Sequence, residues 1–158
     1  AAYVDALDLS GNDVASGLLC NTGVLWLDDS NSGSNDGLGL DATNCTVVVR
    51  RSTIAANSGG GLSVSGGTLD MTNSAVVGNG SGITVGRGIT LEDTSVTRFS
   101  FNTVVANISS SANDDSLRCL GTASGAVCNS IIVGQAPPTF EMACSALTFT
   151  GTVVDTAS

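Results

Sequence analysis

Residues 61–85 read "GLSVSGGTLDMTNSAVVGNGSGITV". The apolar side chains come in pairs two residues apart, Leu62/Val64, Leu69/Met71 and Ile83/Val85, with glycine, serine, threonine or asparagine between the pairs. A spacing of two places both members of a pair on one face of a strand. Each strand is too short to bury much by itself, and the intervening glycines and asparagines supply the positive φ angles of abrupt corners.

The same pattern recurs along the chain. A small or polar residue followed by apolar-x-apolar occurs as Gly17-Leu18-Leu19-Cys20, Gly37-Leu38-Gly39-Leu40, Gly61-Leu62-Ser63-Val64 and Gly82-Ile83-Thr84-Val85. It returns as Ser116-Leu117-Arg118-Cys119 and Glu141-Met142-Ala143-Cys144. A second pair follows in each copy: Leu7/Leu9, Val24/Trp26, Val47/Val49, Leu69/Met71, Ile89/Leu91 and Leu147/Phe149. A third, shorter segment centres on Val14, Ile54, Val76, Val96 or Val104, Ile132 and Val154. Three short alternating segments every 20–24 residues or so describe one turn of a parallel β-solenoid, in which stacked coils share a core that no coil could bury alone. The expectation is one all-β domain, residues 1–158, of about six to seven coils. Two inward ladders are expected, Val24-Val47-Leu69-Ile89 and Trp26-Val49-Met71-Leu91. Residues 28–37, "DDSNSGSNDG", replace a third segment, and 99–116 lengthen a later coil, so both read as loop excursions.

The segments "GGGLSVSGGTLDMTNSAVVGN", "FNTVVANISSSANDDSLRCL", "AVCNSIIVGQAPPTF" and "LTFTGTVVD" resemble right-handed parallel β-helix repeat proteins, the pectate-lyase-like solenoids of secreted and surface proteins in bacteria and archaea. That resemblance covers nearly the whole chain and implies a right-handed winding. The shared residues are corner and core positions, and the fold hosts polysaccharide lyases and hydrolases, adhesin passengers and structural modules alike, so it does not choose among functions.

Composition narrows the field. Fourteen acids face five arginines, with no lysine and no histidine, for a formal charge of −9. A chain so poor in cations cannot displace the counterions of a nucleic acid or dock on anionic lipid. Without histidine the usual proton shuttle and zinc ligand are missing. No run of eighteen apolar residues exists to insert in a membrane. The opening "AAYVD" fits the product of signal-peptide removal, as it would a trimmed chain.

Four sets of residues are candidates for chemistry. Cys119 and Cys144 hold equivalent inward positions in consecutive coils, so their Cα atoms should lie one strand spacing, about 4.8 Å, apart, within disulfide range. The alternative is two reduced core thiols. Cys20 and Cys45 share the same separation of 25 residues, and Cys128 is left over. Asp28, Asp29, Asn31 and Asp36 carry hard oxygens on a glycine-containing loop that could wrap calcium, although a solvated turn uses the same residues. Apart from calcium, no cofactor is expected. Asp28, Arg51, Asn73 and Asp93 align as a column, where an arginine between acids could begin a polysaccharide-cleaving or carbohydrate-binding face, or simply relieve charge repulsion. Asn44, Asn79 and Asn107 open N-glycosylation acceptor patterns, and Asn79 aligns with Asn57 at a corner where its amide could instead bond the backbone.

These features favour a non-enzymatic extracellular structural or adhesive β-helix module at the cell surface. Half-coils at its two ends would complete each other head to tail into a filament or layer, unless they adjoin further coils of a longer solenoid. The alternative is a polysaccharide-binding or lyase-like enzyme fragment.

Overall fold

Short alternating runs broken by corner residues give strands of two to six residues, except for two thirteen-residue strands that run on around a corner. The computed structural model describes residues 1–80, 87–108, 116–134 and 142–154. Among these there is no helix, and every strand pairing is parallel. Strands are numbered along the chain and fall into three ladders. The first holds β3 (Leu18–Cys20), the start of β6 (Leu38–Arg50), the start of β8 (Gly60–Thr72), β10 (Ile89–Glu92), β13 (Leu117–Leu120) and β16 (Met142–Ala143). The second holds β1 (Ala2–Asp5), β4 (Gly23–Asp28), the ends of β6 and β8, β11 (Ser95–Ser100), β14 (Ser124–Cys128) and β17 (Leu147–Thr150). The third holds β2 (Asp8–Ser10), β5 (Asn31–Gly33), β7 (Thr53–Ala55), β9 (Ala75–Val77), β12 (Thr103–Val105), β15 (Ile131–Val133) and β18 (Val153–Val154). From β3 onward each layer gives one strand to each ladder, while the layer before it holds only β1 and β2.

The inward columns are buried and continuous. Leu40, Leu62, Ile89 and Leu117 stack in the first ladder, and Val49, Met71 and Phe99 in the second. Ile54, Val76, Val104 and Ile132 stack in the third. The expected ladders need three corrections. In β4 the buried residues are Leu25 and Leu27, paired with Val47 and Val49, so Val24 and Trp26 turn outward. Ile89 and Leu91 stack on Leu62 and Val64 in the first ladder, not on Leu69 and Met71. Val96 and Phe99 take those places over a β-bulge at Thr97, which lets Arg98 point out while Phe99 fills the core. The third correction concerns the short segments. Val14 is 95 % exposed, and Leu9 and Ser32 hold the inward third-ladder places it was expected to share, while Val104 rather than Val96 occupies the later one. The pair Ile83/Val85 lies outside the described residues.

Residues 28–37 do not loop out. They contain β5, and the inward Ser32 is buried with its hydroxyl donating to the Gly39 carbonyl at 2.7 Å. Of 99–116, the described part carries the end of β11 and all of β12, while 109–115 lie outside the described residues.

Corners explain the polar interior. After each second-ladder strand one residue adopts a left-handed conformation, at Ala6, Asp29, Arg51, Asn73, Phe101, Asn129 and Gly151, with φ between 44° and 60°. A left-handed turn costs a non-glycine residue about 1–2 kcal/mol, so the corner must be held by its surroundings. After the corners from Asp29 to Asn129 the following residue, Ser30, Ser52, Ser74, Asn102 or Ser130, is buried, and from Ser52 onward it accepts the backbone N–H of its counterpart one layer back. Ser52 Oγ accepts from Ser30 N, Ser74 Oγ from Ser52 N, Asn102 Oδ1 from Ser74 N and Ser130 Oγ from Asn102 N, at 3.0–3.2 Å. A second internal ladder follows the third-ladder corner: Asn12, Asn35, Asn57, Asn79 and Asn107. Each backbone N–H and each side-chain Nδ2 of the first four donates to the Oδ1 of the next, at 2.7–3.1 Å. The ladder leaves no room for side chains opposite it. A Cβ on Gly39, Gly61 or Gly88 would lie 2.6–3.0 Å from the Nδ2 of Asn57, Asn79 or Asn107.

Candidate functional site

The outward turn of Trp26 gathers aromatic and charged side chains on one surface. Along the outer face of the second ladder, register places Tyr3, Trp26, Val48, Asp70 and Arg98 in one row. Beside it runs Asp5, Asp28, Arg50 and Thr72. The Arg50 guanidinium lies 5.0 Å from the Trp26 ring centre, and the Tyr3 ring is 6.1 Å away on the other strand. The Tyr3 hydroxyl donates to Asp28 Oδ2 at 3.5 Å. At the corner, Arg51 gives a two-pronged contact to Asp29, Nε to Oδ1 and Nη2 to Oδ2, both 2.8 Å, and its Nη2 lies 2.6 Å from Asp28 Oδ1. Asp70 Oδ2 sits 3.7 Å from Arg50 Nη2 and 3.8 Å from Arg98 Nε. These last separations are ion pairs without hydrogen bonds. Asp70 Oδ1 and Arg50 Nε therefore keep unused bonding capacity among the described residues.

Hydrogen bonding from Arg51 holds the Asp29 carboxyl below its ordinary range, and Asp29, seconded by Asp28, makes the Arg51 guanidinium still harder to deprotonate than usual. Solvent screens exposed pairs of this kind, so they add little to stability.

The expected charged column is thereby redrawn. Register pairs Asp28 with Arg50, whereas Arg51 shares its corner with Asp29 and Asn73. Asp93 belongs to a different corner, with Asn44, Gly66 and Gly121, after the first-ladder strands. There its Oδ1 accepts from Thr122 N at 2.8 Å and Thr122 Oγ1 at 3.0 Å, which lowers its pKa. An aromatic platform, not expected beside this column, is supplied by Trp26 and Tyr3. Sequence reading missed it because Trp26 was placed in the core.

The Asp93 arrangement carries a pH prediction. A carboxyl with a depressed folded pKa adds stability above its unfolded value, near the ordinary 3.8, and loses it as pH falls through the lower folded value. Asp29 acts in the same sense. The urea midpoint is expected to hold steady down to about pH 5 and to drop below about pH 4. Asp93→Asn keeps an acceptor for Thr122 but no titrating group, and should show a shallower acid limb. An unchanged limb in that variant would refute the assignment.

The calcium set does not converge. Asp28 and Asp29 are engaged by Arg51, and the Asn31 amide donates to Asp8 Oδ1 at 2.8 Å on the third ladder. Among the described residues no group of three or more acidic, thiol or imidazole side chains is placed to hold a metal ion. Of the acceptor asparagines, Asn79 and Asn107 are buried with their amides in the interior ladder, so a glycan on either is incompatible with this fold. Asn44 is exposed at a corner with φ 54°.

Four cysteines form two bridges, Cys20–Cys45 and Cys119–Cys144, with Cα–Cα separations of 6.4 and 4.8 Å. Cys128 is a free thiol. Two bridges of this kind mark an oxidising environment, and no helix among the described residues is long and apolar enough to cross a membrane. Comparison with protein-family models, with curated proteins and with solved structures finds no match for this chain.

Proposed function

We propose that the chain is a right-handed parallel β-helix of six to seven coils serving as a non-enzymatic structural or adhesive module outside the cell. The observation that carries this reading is how the layers are joined. Backbone ladders, a serine/asparagine ladder, an asparagine ladder and two disulfides all run from layer to layer. Such joints favour rigidity along the stack and survival in an oxidising medium. They also suit stacking on further β-layers, since among the described residues β1, β2 and β3 each have a strand partner on one side only. That open side would accept either a second copy or neighbouring coils of a longer chain.

A carbohydrate role has support from the Trp26 face, as binding rather than cleavage. Lyase chemistry asks an arginine to accept a proton, and Asp28 and Asp29 hold Arg51 in its charged form. The assembly reading is tested by sedimentation velocity and negative-stain microscopy over a wide concentration range. Concentration-dependent end-to-end particles are expected. A monomer at every concentration, with the two bridges intact, would remove self-assembly.

A further inference from the structure

The geometry points to the outer face of the second ladder, from Tyr3 to Arg98, as a binding site for an uncharged glycan. The inference rests on the adhesive half of the function proposed above and adds the ligand class.

Three observations lead there. First, the row Tyr3-Trp26-Val48-Asp70-Arg98 passes from aromatic rings to a carboxylate held between two guanidinium groups. A sugar ring has the matching halves, an apolar C–H face to lie against the exposed Tyr3 ring and hydroxyl edges that bond carboxylate and guanidinium together. Tyr3 is 61 % exposed, and the Arg98 side chain 57 %, so both ends of the row are open. Second, charge selects against an acidic polymer. Arg50, Arg51 and Arg98 meet Asp5, Asp28, Asp29 and Asp70, three against four, so the face is itself slightly acidic on a molecule whose net charge is −9. An anionic chain would meet repulsion from the body with no local surplus of cations to offset it. Third, the row has the length of a short oligosaccharide, since five strands at about 4.8 Å span roughly 20 Å along the stack. A few sugar units laid along the axis would fill it. The Arg50–Trp26 stack and the Arg51 clamp order these side chains in advance, which lowers the entropy lost on binding.

Trp26 is the sole tryptophan, so its emission reports on the site directly. The test titrates the oxidised protein with cellohexaose, xylohexaose, mannohexaose and chitohexaose, and with hexagalacturonate as the anionic comparison. A saturable change in emission is expected with at least one uncharged hexasaccharide and none with hexagalacturonate. Tyr3→Ala and Arg98→Ala, each checked for native circular dichroism, should weaken binding at least about tenfold, equivalent to ~1.4 kcal/mol. No saturable response to any of the four uncharged sugars would overturn the proposal. So would preference for the anionic sugar, retention of affinity within about twofold in both variants, or self-association that both variants abolish in place of sugar binding. Failure here leaves the sedimentation result untouched, so the glycan and the assembly readings fall separately.

Discussion

Replacing Asn57 with alanine is expected to destabilise the protein by about 4 kcal/mol. Asn57 is fully buried. Its Oδ1 accepts from Asn35 N at 3.1 Å and Asn35 Nδ2 at 2.7 Å, while its Nδ2 donates to the Ser32 carbonyl at 3.0 Å and to Asn79 Oδ1 at 2.9 Å. Alanine leaves a backbone N–H and an amide without their acceptor and a carbonyl without its donor. Each stranded buried group costs about 1–3 kcal/mol, and the loss is felt in two neighbouring layers at once. Aspartate should be no better, because it presents an oxygen to Asn79 Oδ1 where the ladder needs a donor, and buries a charge. Gly39→Ala should act through the same place, since its Cβ would lie 2.6 Å from Asn57 Nδ2. Urea denaturation of the three variants checks this. A loss below about 1 kcal/mol for Asn57→Ala would mean that water replaces the amide and that the ladder is dispensable.

Removing the disulfides should have an effect of similar size. Each bridge joins cysteines 25 residues apart, and closing such a loop in the unfolded chain corresponds to about 3.5 kcal/mol on chain-entropy grounds. Their positions give the loss a direction. Cys20, Ala42, Val64, Leu91 and Cys119 form one inward column of the first ladder, so the bridges clasp its two ends. The layers there have fewer neighbours; β3, for example, pairs among the described residues only with β6. The double variant Cys119→Ala/Cys144→Ala is expected to lose about 3.5 kcal/mol and to exchange amide hydrogens first in β16 and β17. Full reduction should roughly double the loss, because the two bridges are far apart along the stack and share no residue. Equal exchange at both ends of the singly bridged variant, or a loss under about 1 kcal/mol, would contradict this account.

Much of the architecture is legible in the sequence because parallel β-layers built on a repeat follow the same local rules. Val47/Val49, Leu69/Met71, Ile54, Val76 and Ile132 sit inward as period-two alternation requires, whereas the left-handed corners fall only in part at asparagine, aspartate or glycine and equally at Ala6, Arg51, Ala56, Phe101 and Ala106. The 25-residue cysteine separations match one layer of the stack. The recurrence of asparagine at 12, 35, 57, 79 and 107 was also available as a signal, and only its pair Asn57/Asn79 was read.

What local pattern could not decide was parity and ladder membership. "VLWL" at 24–27 is apolar at every position, so alternation permits either face inward. The choice is made by pairing with Val47 and Val49, and by Arg50 and Tyr3, which give an outward Trp26 a partner on each side. Likewise Ile89/Leu91 alternates as an inward pair of either ladder should, whereas Val96 and Phe99, three residues apart, share the inward face only through the bulge at Thr97, and register with β8 assigns the two pairs to different ladders. Ser32 shows the reverse case, a polar residue in an apolar column, accepted because the Gly39 carbonyl takes its proton. Alternation along one strand thus determined that faces exist. Which side chains share a face was settled across strands, by contacts between residues 22–28 positions apart that no local window contains.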